Sequence, residues 1–147
     1  MEEEKSAFGS FELSLPLPIL TLFKEISTWT YFLSIIGFVG IGLLLVVGLI
    51  ISFAMGGMNP YAELGMDMAY FGLVYIVLAV VYFFPVLYLF NFSRKVKSAI
   101  NSKNNDTLID AFSNLKSHYK FVGILSIAII GLYVLIFVIA VIAGMMY

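Results

Sequence analysis

The sequence predicts an all-α membrane protein with three transmembrane helices, the second and third forming a long antiparallel hairpin that extends into the cytoplasm. Three observations predict it. First, residues 30–54, 69–90 and 121–146 contain no Asp, Glu, Lys, Arg or His, and about 20 such residues carry a helix across a hydrocarbon core of roughly 30 Å. Second, 62% of the 147 residues are hydrophobic and only 12% are charged, about half the charge usual in a soluble domain. A soluble chain this small leaves too much surface in water to hide that apolar excess. Third, residues 91–120 carry Arg94, Lys95, Lys97, Lys103, Lys116 and Lys120, whereas residues 56–68 carry no Lys or Arg and hold Glu63 and Asp67. Basic connections stay in the cytoplasm. The N-terminus, with Lys5 and Lys24, is then inside and the C-terminus outside.

Taken in order, residues 1–15 read as a disordered acidic tail containing Glu2, Glu3, Glu4 and Glu12. The acidic start lacks the basic opening of a cleaved signal, so the first span is expected to act as its own insertion signal. Residues 16–28 read as an interfacial lead-in that Pro16 and Pro18 separate from any preceding helix. Residues 29–147 form the three-helix domain. Trp29 and Tyr31 stand where amphipathic rings favour the headgroup level. Gly56, Gly57, Asn59 and Pro60 make the loop after the first span. Pro85 predicts a kink in the second span near Val81.

Residues 91–120 read as a cytoplasmic helical hairpin that closes near Lys103, a two-helix stalk standing out of the bilayer. Thr107 and Asp110 have capping-box spacing. Leu108, Phe112, Leu115, Tyr119 and Val122 recur at heptad steps, with Val96 and Ile100 to face them. Continued into lipid, the heptad marks Ser126, Ile129, Tyr133, Ile136, Ala140 and Ala143 on the third helix. On the second it marks Ser93, Leu89, Val86, Tyr82, Ala79, Tyr75 and Gly72. Small and hydroxyl-bearing residues let helices pack closely in lipid, so Gly72, Tyr75, Ala79, Tyr82, Ser126, Tyr133 and Ala140 are expected to form the seam between these two helices. Gly37, Gly40 and Gly48-x-x-x-Ser52 offer a close-approach face on the first span.

Stretches of the chain resemble a known family. Trp29…Phe32-Leu33-Ser34-Ile35-Ile36-Gly37-Phe38-Val39-Gly40-Ile41-Gly42 resembles its first span. Tyr82-Phe83-Phe84-Pro85-Val86-Leu87-Tyr88-Leu89-Phe90…Phe92-Ser93 resembles the end of its second. Ser113-Asn114-Leu115-Lys116-Ser117-His118-Tyr119-Lys120-Phe121-Val122-Gly123-Ile124-Leu125 is similar to the start of its third, and is the most specific piece. This is a small bacterial membrane family catalogued as domain of unknown function 5362. The resemblance covers residues 29 to 137 and implies a bacterial inner-membrane location. It supplies no activity and no catalytic residues.

The residues themselves point away from catalysis. The spans lack the ionisable groups that proton relays and ion-coupled carriers use. No cysteine is present, which excludes disulfides and thiolate sites. Ser113-x-x-Lys116 lacks the further elements of a serine hydrolase. His118, the only histidine, reads as an interfacial polar residue. No cofactor is expected, and the basic hairpin carries no nucleic-acid motif. The leading expectation is a non-catalytic small inner-membrane protein, an accessory or interaction subunit that self-associates or joins a larger membrane complex. Its partners would include the bilayer, with Arg94, Lys95, Lys97, Lys103, Lys116 and Lys120 touching partner or anionic headgroups. One alternative is a pore or transporter component built by oligomerisation. Another is soft-metal binding at the outer face by Met55, Met58, Met66 and Met68, since thioethers suit Cu(I). The threading is checked by a reporter inserted at Lys103. It should be protected from reagents added outside intact cells and become accessible on permeabilisation.

Overall fold

The computed structural model describes residues 16–54 and 67–145. They form three α-helices: α1 (Leu17–Ala54), α2 (Met68–Ser102) and α3 (Asn105–Met145). All three are long and apolar enough to cross a membrane. The acidic tail, most of the loop between α1 and α2, and Met146-Tyr147 lie outside the described residues.

The lead-in is not a separate interfacial piece. The amides of Ile19 and Leu20 both reach the Pro16 carbonyl, at 2.9 and 3.2 Å, and α1 then runs unbroken for 38 residues. Pro18 is tolerated because an amide in the first helical turn has no intrahelical partner to lose. At about 1.5 Å per residue, α1 is far longer than a hydrocarbon slab of roughly 30 Å, so its first turns extend beyond the apolar stretch.

The inner face of α1 carries small and hydroxyl residues at alternating steps of three and four. Ser27, Thr30, Ser34, Ile41 and Gly48 are buried, and Gly37 and Leu44 fill the intervening positions half-buried. Against this face α2 presents Gly72, Ala79, Val86 and Ser93, each seven residues from the next. A Cβ on Gly37 would stand 2.9 Å from Val86 Cγ2, and one on Gly48 would stand 2.9 Å from the Gly72 carbonyl oxygen. A Cβ on Gly72 would collide with Ser52 Oγ and stand 2.6 Å from the Gly48 carbonyl oxygen. The Gly48 and Gly72 carbonyls are backbone obstacles and cannot swing aside. Toward the other end the rings of Tyr31 and Phe90 lie 5.6 Å apart, and Phe38 meets Phe83 at 6.0 Å and Phe90 at 5.7 Å. The two helices are therefore antiparallel along their length.

The α2–α3 turn is built by two caps. Lys103 adopts the left-handed conformation (φ 50°, ψ 40°), with its amide on the Ala99 carbonyl. The Asn104 amide reaches the same carbonyl at 3.1 Å, the long-range bond of a Schellman turn, so the Ala99 carbonyl accepts from both residues of the turn. Asn104 then caps α3, its side-chain oxygen accepting from the Thr107 amide at 3.1 Å. The expected capping box at Thr107 and Asp110 gives way to this arrangement. Asn is a better cap than Thr and stands three residues earlier, so the helix starts earlier. Asp110 is released to pair with Lys95 at 3.2 Å.

α2 and α3 pack in opposite chain directions. Phe92 meets Phe112 at 5.8 Å, and Phe84 meets Phe121 at 6.1 Å. Val96 and Ala111 are fully enclosed, and with Phe92 they form a core flanked by Ile100, Leu108, Leu115 and also Phe23 of α1. Phe23 stacks edge-on against Phe112 at 5.5 Å. The projecting part is thus a three-helix cluster, where two helices were expected. The inner α3 positions are Leu108, Ala111, Leu115 and His118, whereas Tyr119 is 67% exposed.

Beyond Leu125 every described residue of α3, from Ser126 to Met145, is exposed. The expected α2–α3 seam in lipid is therefore corrected. Gly72 and Ala79 are buried, but against α1. Ala79 borders a shallow apolar recess with Ile41 and Leu45 of α1. Tyr75 is 37% and Tyr82 47% exposed, and on α3 Ser126, Tyr133 and Ala140 are all exposed. The small-residue stripe was identified correctly and given the wrong neighbour. One stripe seats one helix, and α1 brings its own glycines to it. Gly40 on α1 likewise has open space beside it.

The close approach predicts that Gly72→Ala lowers the stability of the purified protein by about 1–3 kcal/mol, the usual cost of overpacking. Gly42→Ala, where the space is open, should leave stability unchanged or slightly raised. Unfolding of both variants in mild detergent checks the pair.

Candidate interaction surfaces

The six basic residues of the hairpin do not form one patch. Lys95 is engaged with Asp110 in an exposed pair, side chains 40% and 67% exposed, which contributes about 0.5 kcal/mol. Lys103 sits at the tip in the turn. Lys116 and Lys120 lie on exposed positions of α3. Arg94 and Lys97 stand on the side of α2 that faces α1, where they border a groove shared by the two helices. Arg94 places its guanidinium 5.5 Å from the centre of the Phe90 ring, a cation–π arrangement that orients it.

His118 is a structural finding that its sequence context concealed. Its Nδ1 lies 2.9 Å from the Pro85 carbonyl oxygen. A carbonyl only accepts, so the imidazole donates through Nδ1. The Pro85 oxygen has two lone pairs, so it takes this bond beside any within the helix. The ring also meets Tyr119 edge-on at 5.4 Å. The bond ties α3 to α2 near the level where the helices part company. Ala111 and His118 were both missed by hydrophobic spacing, since one is small and the other polar. The detectable signal was a three–four alternation through Leu108, Ala111, Leu115 and His118 that ignored side-chain polarity.

The second surface is the apolar length of α3. Ser126, Tyr133 and Ala140 occupy the same position in successive heptads, and Tyr133 is 70% exposed. Gly123, three residues before Ser126, and Gly144, four after Ala140, share this side of the helix and have nothing within 4 Å of where a Cβ would be. Another helix can therefore approach this face closely.

Of the methionines proposed to bind a soft metal, Met55, Met58 and Met66 lie outside the described residues, and Met68 begins α2. Among the described residues no three His, Asp or Glu side chains gather as a metal site.

Replacing His118 by Ala removes the bond between α2 and α3 and should cost about 1 kcal/mol. Hydrogen exchange should then rise in residues 112–122 and stay unchanged around Gly48. Comparison with protein-family models, with curated proteins and with solved structures finds no match to this chain.

Proposed function

We propose that this protein is a non-catalytic inner-membrane interaction subunit, and that the apolar length of α3 is the face it offers to a neighbouring helix. One observation carries the reading. α1 and α2 close on each other through Gly48 and Gly72, while every described residue of α3 from Ser126 to Met145 is exposed. Lipid tails are as apolar as leucine, so a lipid-facing helix has no reason to carry small and hydroxyl residues at regular spacing unless another helix packs there. The partner is a second copy of the chain or a different membrane protein.

The basic hairpin gives the direction of threading. It lies on the cytoplasmic side under the positive-inside rule, with the N-terminus inside and the C-terminus outside. The bacterial location follows from the resemblance to domain of unknown function 5362, and that membership is part of the proposal.

The chain contains no cysteine, so single cysteines report cleanly. Ser126→Cys, Tyr133→Cys and Ala140→Cys should cross-link in native membranes, whereas Ile124→Cys and Ile142→Cys, off the stripe, should not. The same adduct from the pure reconstituted protein identifies a second copy. An adduct found only in native membranes identifies a different partner. Cross-linking at no position, or equally at all five, overturns the reading.

A further inference from the structure

The groove between α1 and α2 has a composition that the interaction reading leaves unused. Its volume is about 490 Å³, and it is bordered by Ser27, Thr28 and Tyr31 of α1. Across it stand Ser93, Arg94, Lys97, Ser98 and Asn101 of α2. Among the described residues no carboxylate borders it. Glu25 faces a different cleft, with Trp29 and Leu33, and Asp110 is taken by Lys95. Two cations therefore converge on one concavity with no counter-ion among the described residues.

The hydroxyls divide by what their protons already do. Ser27 and Thr28 both donate to the Lys24 carbonyl, at 2.8 and 2.9 Å, and Ser93 donates to the Phe90 carbonyl at 3.2 Å. They present oxygen lone pairs to the groove. Arg94 and Lys97 remain as charged donors, with the Tyr31 and Ser98 hydroxyls and the Asn101 amide beside them. Charged donors ringed by neutral ones are what a phosphate oxygen set requires. Lys24, one turn before Ser27 and Thr28 on the same face of α1, adds positive potential at the mouth.

The height of the groove selects the kind of phosphate. Arg94 is the first charged residue of α2 after an uncharged run from Met68, and residues 26–54 of α1 carry no charge. The groove thus sits where charge begins on both helices. Below it lie the Tyr31 and Phe90 rings, 5.6 Å apart, and then an uncharged, mainly apolar surface. A soluble phosphate would leave that apolar floor unused. A lipid would lay its acyl chains along it and lift its phosphate into the groove.

We propose that this groove is a binding site for the phosphodiester of an anionic phospholipid on the basic side of the membrane. Arg94 and Lys97 hold the phosphate, and Ser98 and Asn101 complete its donors. The oxygens of Ser27, Thr28 and Ser93 accept from headgroup hydroxyls. The site rests on the helices crossing a bilayer and is independent of whether α3 has a partner.

The test uses the whole protein, purified in mild detergent, with phosphatidylglycerol, phosphatidylcholine or inorganic phosphate added. Bound lipid is counted by native mass spectrometry, and stability is followed by thermal unfolding. Phosphatidylglycerol should remain bound and raise the unfolding temperature, and the other two should not. The double variant Arg94→Gln, Lys97→Gln should weaken phosphatidylglycerol binding about tenfold or more, as loss of charge-assisted hydrogen bonds does. Lys116→Gln with Lys120→Gln removes the same charge elsewhere and should leave binding unchanged. Ser98→Phe keeps both cations and fills the groove, and should weaken binding as well. Equal loss in both double variants would mean bulk electrostatics and overturn the site. An equal effect of inorganic phosphate would overturn the lipid assignment, and retention by Ser98→Phe would overturn the groove.

Discussion

The architecture depends on how closely the backbones of α1 and α2 approach at Gly48 and Gly72. A Cβ at either position would run into the main chain of the other helix. Within lipid no hydrophobic gain draws helices together, so what holds them is close packing and whatever polar contacts it permits. The heptad-spaced small residues of α1 and the seven-residue repeat of Gly72, Ala79, Val86 and Ser93 on α2 allow that packing. The remaining arrangement follows. With its small-residue face occupied, α2 has no equivalent groove left for the apolar length of α3.

Outside the apolar zone the balance of forces changes. Water restores a hydrophobic gain of about 25 cal/mol per Å² buried, and there all three helices meet. Val96 and Ala111 are enclosed, Phe92 and Phe112 stack, and Phe23 of α1 comes across to join them. The three helices are joined where water surrounds them, and α3 leaves the other two where it is apolar all round. The His118–Pro85 bond lies at the transition. One end of the molecule is thus held by its own core, while the other leaves α3 to whatever lies beside it. A partner helix on α3 and a lipid phosphate between α1 and α2 would occupy opposite ends of this division.

The places where the sequence misled have specific causes. Hydrophobic spacing selected Tyr119 for the α2–α3 contact because it is large and apolar. Yet the ring is exposed, and the smaller Ala111 and the polar His118 lie inside. Helices in close contact need small residues at the crossing and can satisfy a polar one against a carbonyl. Thr107 drew attention as a cap because its spacing to Asp110 fits a familiar pattern, although Asn104 stood nearer the turn. Pro18 suggested a break and is a first-turn proline in a continuous helix. In each case a local pattern had two structural meanings, and only for Tyr119 and His118 did a neighbour distant in sequence separate them.

The amino-acid sequence alone determined the helical class, the number of apolar segments, the turn at Lys103 and the stripe of small residues on α2. All of these depend on composition and on periods of three to four residues, which a chain carries without reference to its neighbours. Tertiary structure decided which helix occupies that stripe. It also decided that α1 joins the hairpin core, and that Arg94 and Lys97 share a groove with α1 while Lys95 turns to Asp110. Those outcomes depend on which surfaces compete for the same partner, and in lipid that competition is won by whichever backbone can come nearest.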